Sequence, residues 1–262
     1  ALTQGFQPGN LIILAARPGI GKTALALNWL LRAAEKHQAH GAFFSLEMSK
    51  EEVFGRLLSA HATVNMKQVQ AGAFDDQVQA QLLRSRDAML GLPIFINDQA
   101  AITVREITAM VDRHLSQTNQ RLDLLIVDYL QLLSSPEGSR AAKQSEAVRI
   151  GEISRGFKLL AKDHGIPVVV LSQLNREVEH RQGGRPQLSD LRDSGAIEQD
   201  ADIVMFIHRR MKPVMEGEED DRSAELLVAK HRNGPTGMIP LYFEGEFARF
   251  REMERATDSD PV

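Results

Sequence analysis

The octet Ala16-Arg17-Pro18-Gly19-Ile20-Gly21-Lys22-Thr23 lies between an apolar run, Leu11-Ile12-Ile13-Leu14-Ala15, and a stretch of helix formers from Ala24 to Leu31. Strand, glycine-bearing loop and helix in that order make a phosphate-binding P-loop, where backbone N–H groups and the positive end of the helix surround the anion. Gly19 and Gly21 supply backbone freedom, Lys22 supplies a charge for the β- and γ-phosphates, and the Thr23 hydroxyl suits the coordination shell of Mg²⁺. Ala16 stands where the pattern usually opens with Gly, so the match is to the relaxed form with a small residue there. The octet predicts a bound nucleotide.

Further apolar runs, Gly41 to Leu46, Pro93 to Asn97, Leu122 to Asp128, Pro167 to Ser172 and Ile203 to His208, alternate with helical stretches. Runs of this kind predict strands buried on both faces, hence an α/β fold with a largely parallel sheet flanked by helices. Capping boxes at Ser49 to Glu52 and Thr103 to Glu106 mark helix starts. Between Ser145 and His164, the spacing of Ile150, Ile153, Phe157 and Leu160 predicts one apolar helix face turned to the core. The last third reads differently. Glu225 to Lys230 and Met238 to Phe243 flank Asn233-Gly234-Pro235, with a third run at Phe247 to Phe250, so antiparallel strands are expected at one edge of the sheet. Residues 256–262 are expected to be disordered.

With 262 residues and 43% hydrophobic content the chain can close one sizeable core, and a single domain over 1–262 is expected. It has no cysteine, which excludes a disulfide scaffold, thiolate metal sites and a cysteine nucleophile, and a cytoplasmic location is expected. No apolar run is long enough to cross a bilayer, and the N-terminus lacks a signal-peptide layout, so no membrane partner is expected. The formal charge of −4 confines any nucleic-acid site to a local patch or a lining shared between subunits. The acidic run Glu216 to Asp221 reads as a solvated loop. The chain opens on Ala1, with its first strand ten residues in, and is read as part of a longer polypeptide.

In parallel sheets ligands bind beyond the carboxyl ends of the strands, so polar residues that follow apolar runs matter most. Asp128 follows Leu124-Leu125-Ile126-Val127, a Walker B layout that serves Mg²⁺. Glu47 follows Phe43-Phe44-Ser45-Leu46, where it is either a general base for water or an exposed loop carboxylate. Gln173 follows Val168-Val169-Val170-Leu171-Ser172 and has the position of a γ-phosphate contact; position alone does not decide it.

Six runs then make a pattern: Ala15-Ala16-Arg17-Pro18, Phe44-Ser45-Leu46-Glu47-Met48, Ile126-Val127-Asp128-Tyr129-Leu130-Gln131, Leu171-Ser172-Gln173-Leu174-Asn175-Arg176, Ser189-Asp190-Leu191-Arg192-Asp193-Ser194-Gly195 and Lys230-His231-Arg232-Asn233-Gly234. In this order they resemble the successive motifs of DnaB-type replicative DNA helicases, from Gly5 to about Phe250. The resemblance implies a RecA-like P-loop NTPase, the C-terminal motor domain of that family without its helical N-terminal domain and linker helix. It implies ATP or another NTP with Mg²⁺, a homo-hexameric ring, single-stranded DNA, and a helicase loader and other replisome proteins as partners. Glu47 becomes the catalytic base and Gln173 the γ-phosphate sensor. Lys230 and Arg232, which spacing alone leaves as charges protecting a sheet edge, become a pair acting on a neighbouring subunit's site. Arg56 is similar to a residue bordering the nucleotide, although an ordinary surface-helix arginine fits it equally. Arg192, Asp193 and Gly195 fall in a loop facing the DNA channel, with Arg192 on a phosphate, Asp193 orienting it or pairing with the adjacent subunit, and Gly195 letting backbone N–H groups approach the strand. Gly183-Gly184-Arg185-Pro186 is either a second channel element or a mobile loop. One fold hosts many functions, so a filament-forming recombinase, a clock-type ATPase and a nucleotide-binding fragment that does not assemble stay open as alternatives.

Overall fold

Residues 2–72, 74–118, 120–134, 145–175, 178, 181, 183–191, 194–209 and 221–253 are described by the computed structural model. Strand β1 (Leu11–Ala16) leads into helix α1 (Lys22–His37), followed by β2 (Gly41–Ser45), α2 (Lys50–Ala62), α3 (Met66–Ala71), α4 (Asp76–Met89), β3 (Ile94–Asn97), α5 (Val104–Thr118) and β4 (Leu124–Asp128). Next come α6 (Glu146–His164), β5 (Val168–Gln173), α7 (Ser194–Asp200), β6 (Ile203–His208), β7 (Ser223–His231), β8 (Gly237–Glu244) and β9 (Arg249–Glu252). The described strands form one sheet in the order β3-β2-β4-β5-β1-β6-β7-β8-β9. From β3 to β6 all pairings are parallel; β7, β8 and β9 add on antiparallel.

Because side chains alternate across a strand, each buried strand feeds two cores. Leu11, Ile13, Val168, Val170, Val204 and Phe206 point to one face, where Ile107 of α5, Ile150, Phe157 and Leu160 of α6 and Ile197 of α7 cover them. Ile12, Leu14, Val169, Leu171, Ile203 and Met205 point to the other, beneath Leu27 and Leu30 of α1 and Val53 and Leu57 of α2. Burying a side chain of this size contributes roughly 1.5–3 kcal/mol, which is why uninterrupted apolar runs read as strands here. The expected α6 stripe is buried, and both capping boxes form.

Two expectations need correction. Pro93 to Asn97 is not buried on both faces: β3 ends the sheet, so Phe95 is half exposed. The last strand runs over Arg249–Glu252 rather than 247–250, because Gly245–Phe247 is a 3-10 turn and Ala248 takes a left-handed conformation before the chain extends again. Residues 256–262 and the acidic run from Glu216 to Asp220 lie outside the described residues. No helix of the described residues is long and apolar enough to cross a membrane.

Candidate active site

Parallel β1, β2, β4 and β5 bring Ala16, Glu47, Asp128 and Gln173 to the same edge of the sheet, since Ala16 pairs with Gln173 and Ser45 with Asp128. A cavity of about 420 Å³ opens there, lined by Ala16, Arg17, Pro18, Gly19, Gly21, Lys22, Thr23, Glu47, Arg56 and Gln173. Its floor is the start of α1. Gly21 caps this helix in a left-handed conformation without a side-chain hydrogen bond, and no acidic residue occupies the first turn. Hence the first N–H groups of a sixteen-residue helix face the cavity with no internal acceptor.

Two glycines carry this geometry. Gly19 (φ +77) has open space where a Cβ would stand, whereas Gly21 (φ +109) is crowded, with the Phe250 ring 2.9 Å and the Phe243 ring 3.2 Å from that point. Any side chain at Gly21 strains the loop and collides with β8 and β9. Ile20 between them turns inward to the core, leaving only its backbone for a ligand.

Beneath the loop lies a buried polar knot. Thr23 Oγ1 donates to Asp128 Oδ2 at 2.5 Å, and Lys22 Nζ stands 3.4 Å from Asp128 Oδ1 and 4.4 Å from the centre of the Tyr129 ring. Burial lowers the Lys22 pKa from its ordinary value, and the Asp128 and Glu47 carboxylates oppose that shift. Burial, then the same two carboxylates, raise the Tyr129 hydroxyl, against a hydrogen bond with Gln173. Asp128 Oδ1 is buried without a hydrogen-bond partner. A carboxylate whose Oδ1 is held only by the Lys22 ion pair, beside a threonine hydroxyl, is a hard-oxygen set that suits Mg²⁺.

Glu47 is exposed at the cavity wall just beyond β2, as a group meeting solvent water requires, and Arg56 reaches the same wall from α2. Arg17 donates to the Leu174 carbonyl at 3.0 Å. Gln173 is wired outward: its N–H donates to Gln131 Oε1 at 3.4 Å, Leu174 bridges to Leu191, and Asn175 N–H donates to the Asp190 carbonyl.

Lys230 and Arg232 are not brought to this cavity. They lie at the end of β7, which pairs with the start of β6, at the sheet edge opposite the P-loop. The Lys230 ammonium donates to the Glu198 and Ala201 carbonyls, and Arg232 contacts Asp202 and the Gln199 carbonyl. Six residues of β1 separate the two edges, about 20 Å of strand. Arg192 and Asp193 lie outside the described residues; Gly195 is exposed at the start of α7. Arg185 is clamped by both oxygens of Glu225 at 3.0 and 2.7 Å, which ties the Gly183–Pro186 segment to β7.

Sequence reading missed Tyr129 and the far wall of the cavity, formed by Phe243, Gly245 and Ala248 with Met66 and Gln70. Tyr129 directly follows the Walker B acid and was findable; the wall was not, because its residues come from distant segments.

A family model for the DnaB-like helicase C terminal domain matches residues 1–252. The chain belongs to this family. It is 43% identical over 252 residues to the replicative DNA helicase DnaB of Leifsonia xyli subsp. xyli, covering 96% of this chain and 54% of that protein. To the replicative DNA helicase DnaB of Geobacillus stearothermophilus it is 40% identical over 261 residues, covering 100% and 56%. The solved structure of a DnaB-like replicative helicase, reported with its interactions with primase, superposes with a TM-score of 0.88 at 34% identity, over 97% of this chain and 59% of that one. The sheet is thus the RecA-like sheet of these DnaB-family domains, and the chain spans about half the length of the relatives it matches.

Proposed function

We propose that this chain is one domain, the ATP-hydrolysing motor of a replicative DNA helicase that works in the cytoplasm and moves along single-stranded DNA as a hexameric ring. One observation carries the proposal: phosphate-binding loop, acid, base and amide meet at one edge of the sheet, while the two cations that would complete the site end at the other. A single subunit holds half a site twice.

In the proposed mechanism the first N–H groups of α1 and the Lys22 ammonium take the β- and γ-phosphates of ATP, drawing Lys22 from Asp128 toward the anion. Thr23 and Asp128 would hold Mg²⁺, which when bound neutralises charge on the phosphate oxygens. Glu47 accepts a proton from the attacking water as its oxygen bonds to the γ-phosphorus, and the bond from that phosphorus to the β-phosphate oxygen breaks. ADP leaves with the electron pair. Ala16, Arg17, Pro18, Gly19, Ile20 and Gly21 shape the loop, and Arg56 borders the nucleotide from α2. Lys230 and Arg232 of an adjacent copy stabilise the transferring phosphoryl group.

Gln173 contacts the γ-phosphate and passes its loss through Leu174 and Asn175 to Asp190 and Leu191, which precede the DNA loop of Arg192, Asp193 and Gly195. Contacts there go to phosphate and backbone, so affinity is salt dependent and largely indifferent to sequence. A helicase loader and other replisome proteins are partners on this reading.

The test is ATP hydrolysis with and without single-stranded DNA across protein concentration, with Lys22→Ala as the blank. A rate that rises with both concentration and DNA supports an interface-built motor. A flat rate indifferent to DNA contradicts it.

A further inference from the structure

We infer that Asp202 is a positioning residue for the Lys230–Arg232 pair, holding Arg232 at the point from which it reaches a neighbouring subunit's phosphates; the inference rests on the trans reading above. Asp202 sits between α7 and β6 at the sheet edge opposite the P-loop, with only 6% of its side chain exposed. Three donors converge on its carboxylate. Oδ2 accepts from Leu11 N–H at 2.8 Å and from the Lys158 ammonium of α6 at 2.5 Å, and Oδ1 accepts from Arg232 Nη1 at 3.3 Å. The Asp202 carbonyl takes the Arg232 N–H at 2.8 Å. Arg232 Nη2 and the Lys230 ammonium donate to carbonyls of the last turn of α7 and the residue just beyond it, so both cations rest on the helix that starts at the loop assigned to DNA. That helix is tight against α6: a Cβ on Gly151 would stand 3.0 Å from the Ala196 Cβ.

The three contacts differ in how easily each can open. Leu11 N–H is fixed main chain, and Lys158 is short-ranged and mostly covered, whereas Arg232 has the longest contact and a side chain 49% exposed. Stripping a buried carboxylate of its cation leaves an uncompensated charge, which is strongly destabilising. Lys158 prevents that when Arg232 swings outward, because Asp202 keeps one cation at 2.5 Å. Release of Arg232 then costs a half-exposed ion pair, a small amount. Asp202 can therefore orient the arginine without trapping it.

Asp202→Asn keeps the side-chain size and an acceptor for Leu11 N–H while removing the charge. In assemblies hydrolysing ATP with single-stranded DNA it should lower kcat about tenfold and move KM for ATP by less than about twofold, the pattern of a contact made in the transition state. In an Arg232→Ala background it should lower kcat no further, whereas a merely structural role lowers both backgrounds alike. Mixed with Glu47→Ala subunits, Asp202→Asn subunits should regain hydrolysis, since one kind of mixed interface joins an intact pocket to an intact cation pair. Equal losses in the two backgrounds, or no recovery, overturn the inference. An Arg232→Ala with Glu47→Ala mixture separates the causes: recovery there alone refutes positioning by Asp202, and recovery in neither refutes the trans reading and the inference with it. Should Asp202→Asn not fold, Asp202→Glu, which moves the charge by one methylene, goes through the same mixtures with the same outcomes.

Discussion

The parallel half of the sheet, β3 to β6, and the antiparallel half, β7 to β9, divide the chemistry between them. In the parallel half β1, β2, β4 and β5 are covered on both faces, and their carboxyl ends deliver the P-loop, Glu47 and Gln173 to one cavity within one chain, with Asp128 buried beside Lys22 and Thr23. The antiparallel half is covered mainly on one face, exposes Met238 and Tyr242, and ends β7 in the cations Lys230 and Arg232, which reach nothing in that cavity. It does give the cavity one wall at Phe243, whose ring lies 4.5 Å from that of Phe250 and tilted 38° to it, both rings close to Gly21. A fully buried scaffold gathers its groups into one cavity of the same chain, while a half-exposed one carries Lys230 and Arg232 at the opposite edge, where the proposal sets them against another copy.

The largest expected effect breaks the outward half without touching the inward one. Arg232→Ala should slow DNA-stimulated hydrolysis by about 10³-fold or more, the usual worth of an arginine finger, with nucleotide affinity nearly unchanged in a binding titration. Loss of nucleotide binding instead would show that Arg232 acts on ground-state binding rather than on the transferring phosphoryl group. Stability should divide the same way. Phe157→Ala, fully buried on α6, should cost about 3–5 kcal/mol in urea unfolding, and Tyr242→Ala on the exposed face of β8 about 1 kcal/mol. Equal losses would erase the distinction between the halves.

The smallest effect concerns Lys22. Burial holds its pKa below the ordinary 10.5, so between the folded value and 10.5 the unfolded chain binds more protons than the folded one, and stability of the nucleotide-free chain rises with pH across that window. Phosphate affinity, which needs the charge, falls over the same window. Lys22→Met should flatten both trends, read from urea midpoints and titrations with an ATP analogue. Trends that persist in Lys22→Met would assign them to another group.

Much of this was legible in the sequence because the controlling physics is local. Unbroken apolar runs, capping boxes at Ser49 and Thr103, and the Ile150–Leu160 stripe each encode an element through its neighbours. The P-loop and the strand-end Asp128 were legible for the same reason. Sheet order is not local, so the position of β3 at the edge could not be read from a run as apolar as the others. Nor could the left-handed turn at Ala248, which shifts the last strand. Asp202 was invisible because its partners, Leu11, Lys158 and Arg232, come from three separate elements, the first 191 residues away.

The central claim is that the site is completed across subunits, and mixing Arg232→Ala with Glu47→Ala chains tests it most directly. Each variant alone lacks one half of every interface, so each should be nearly inactive with ATP and single-stranded DNA. Mixed assemblies contain some interfaces with an intact pocket on one chain and an intact cation pair on the other, and hydrolysis should return in proportion to those interfaces. Assemblies verified as mixed that stay inactive at every ratio would contradict the account.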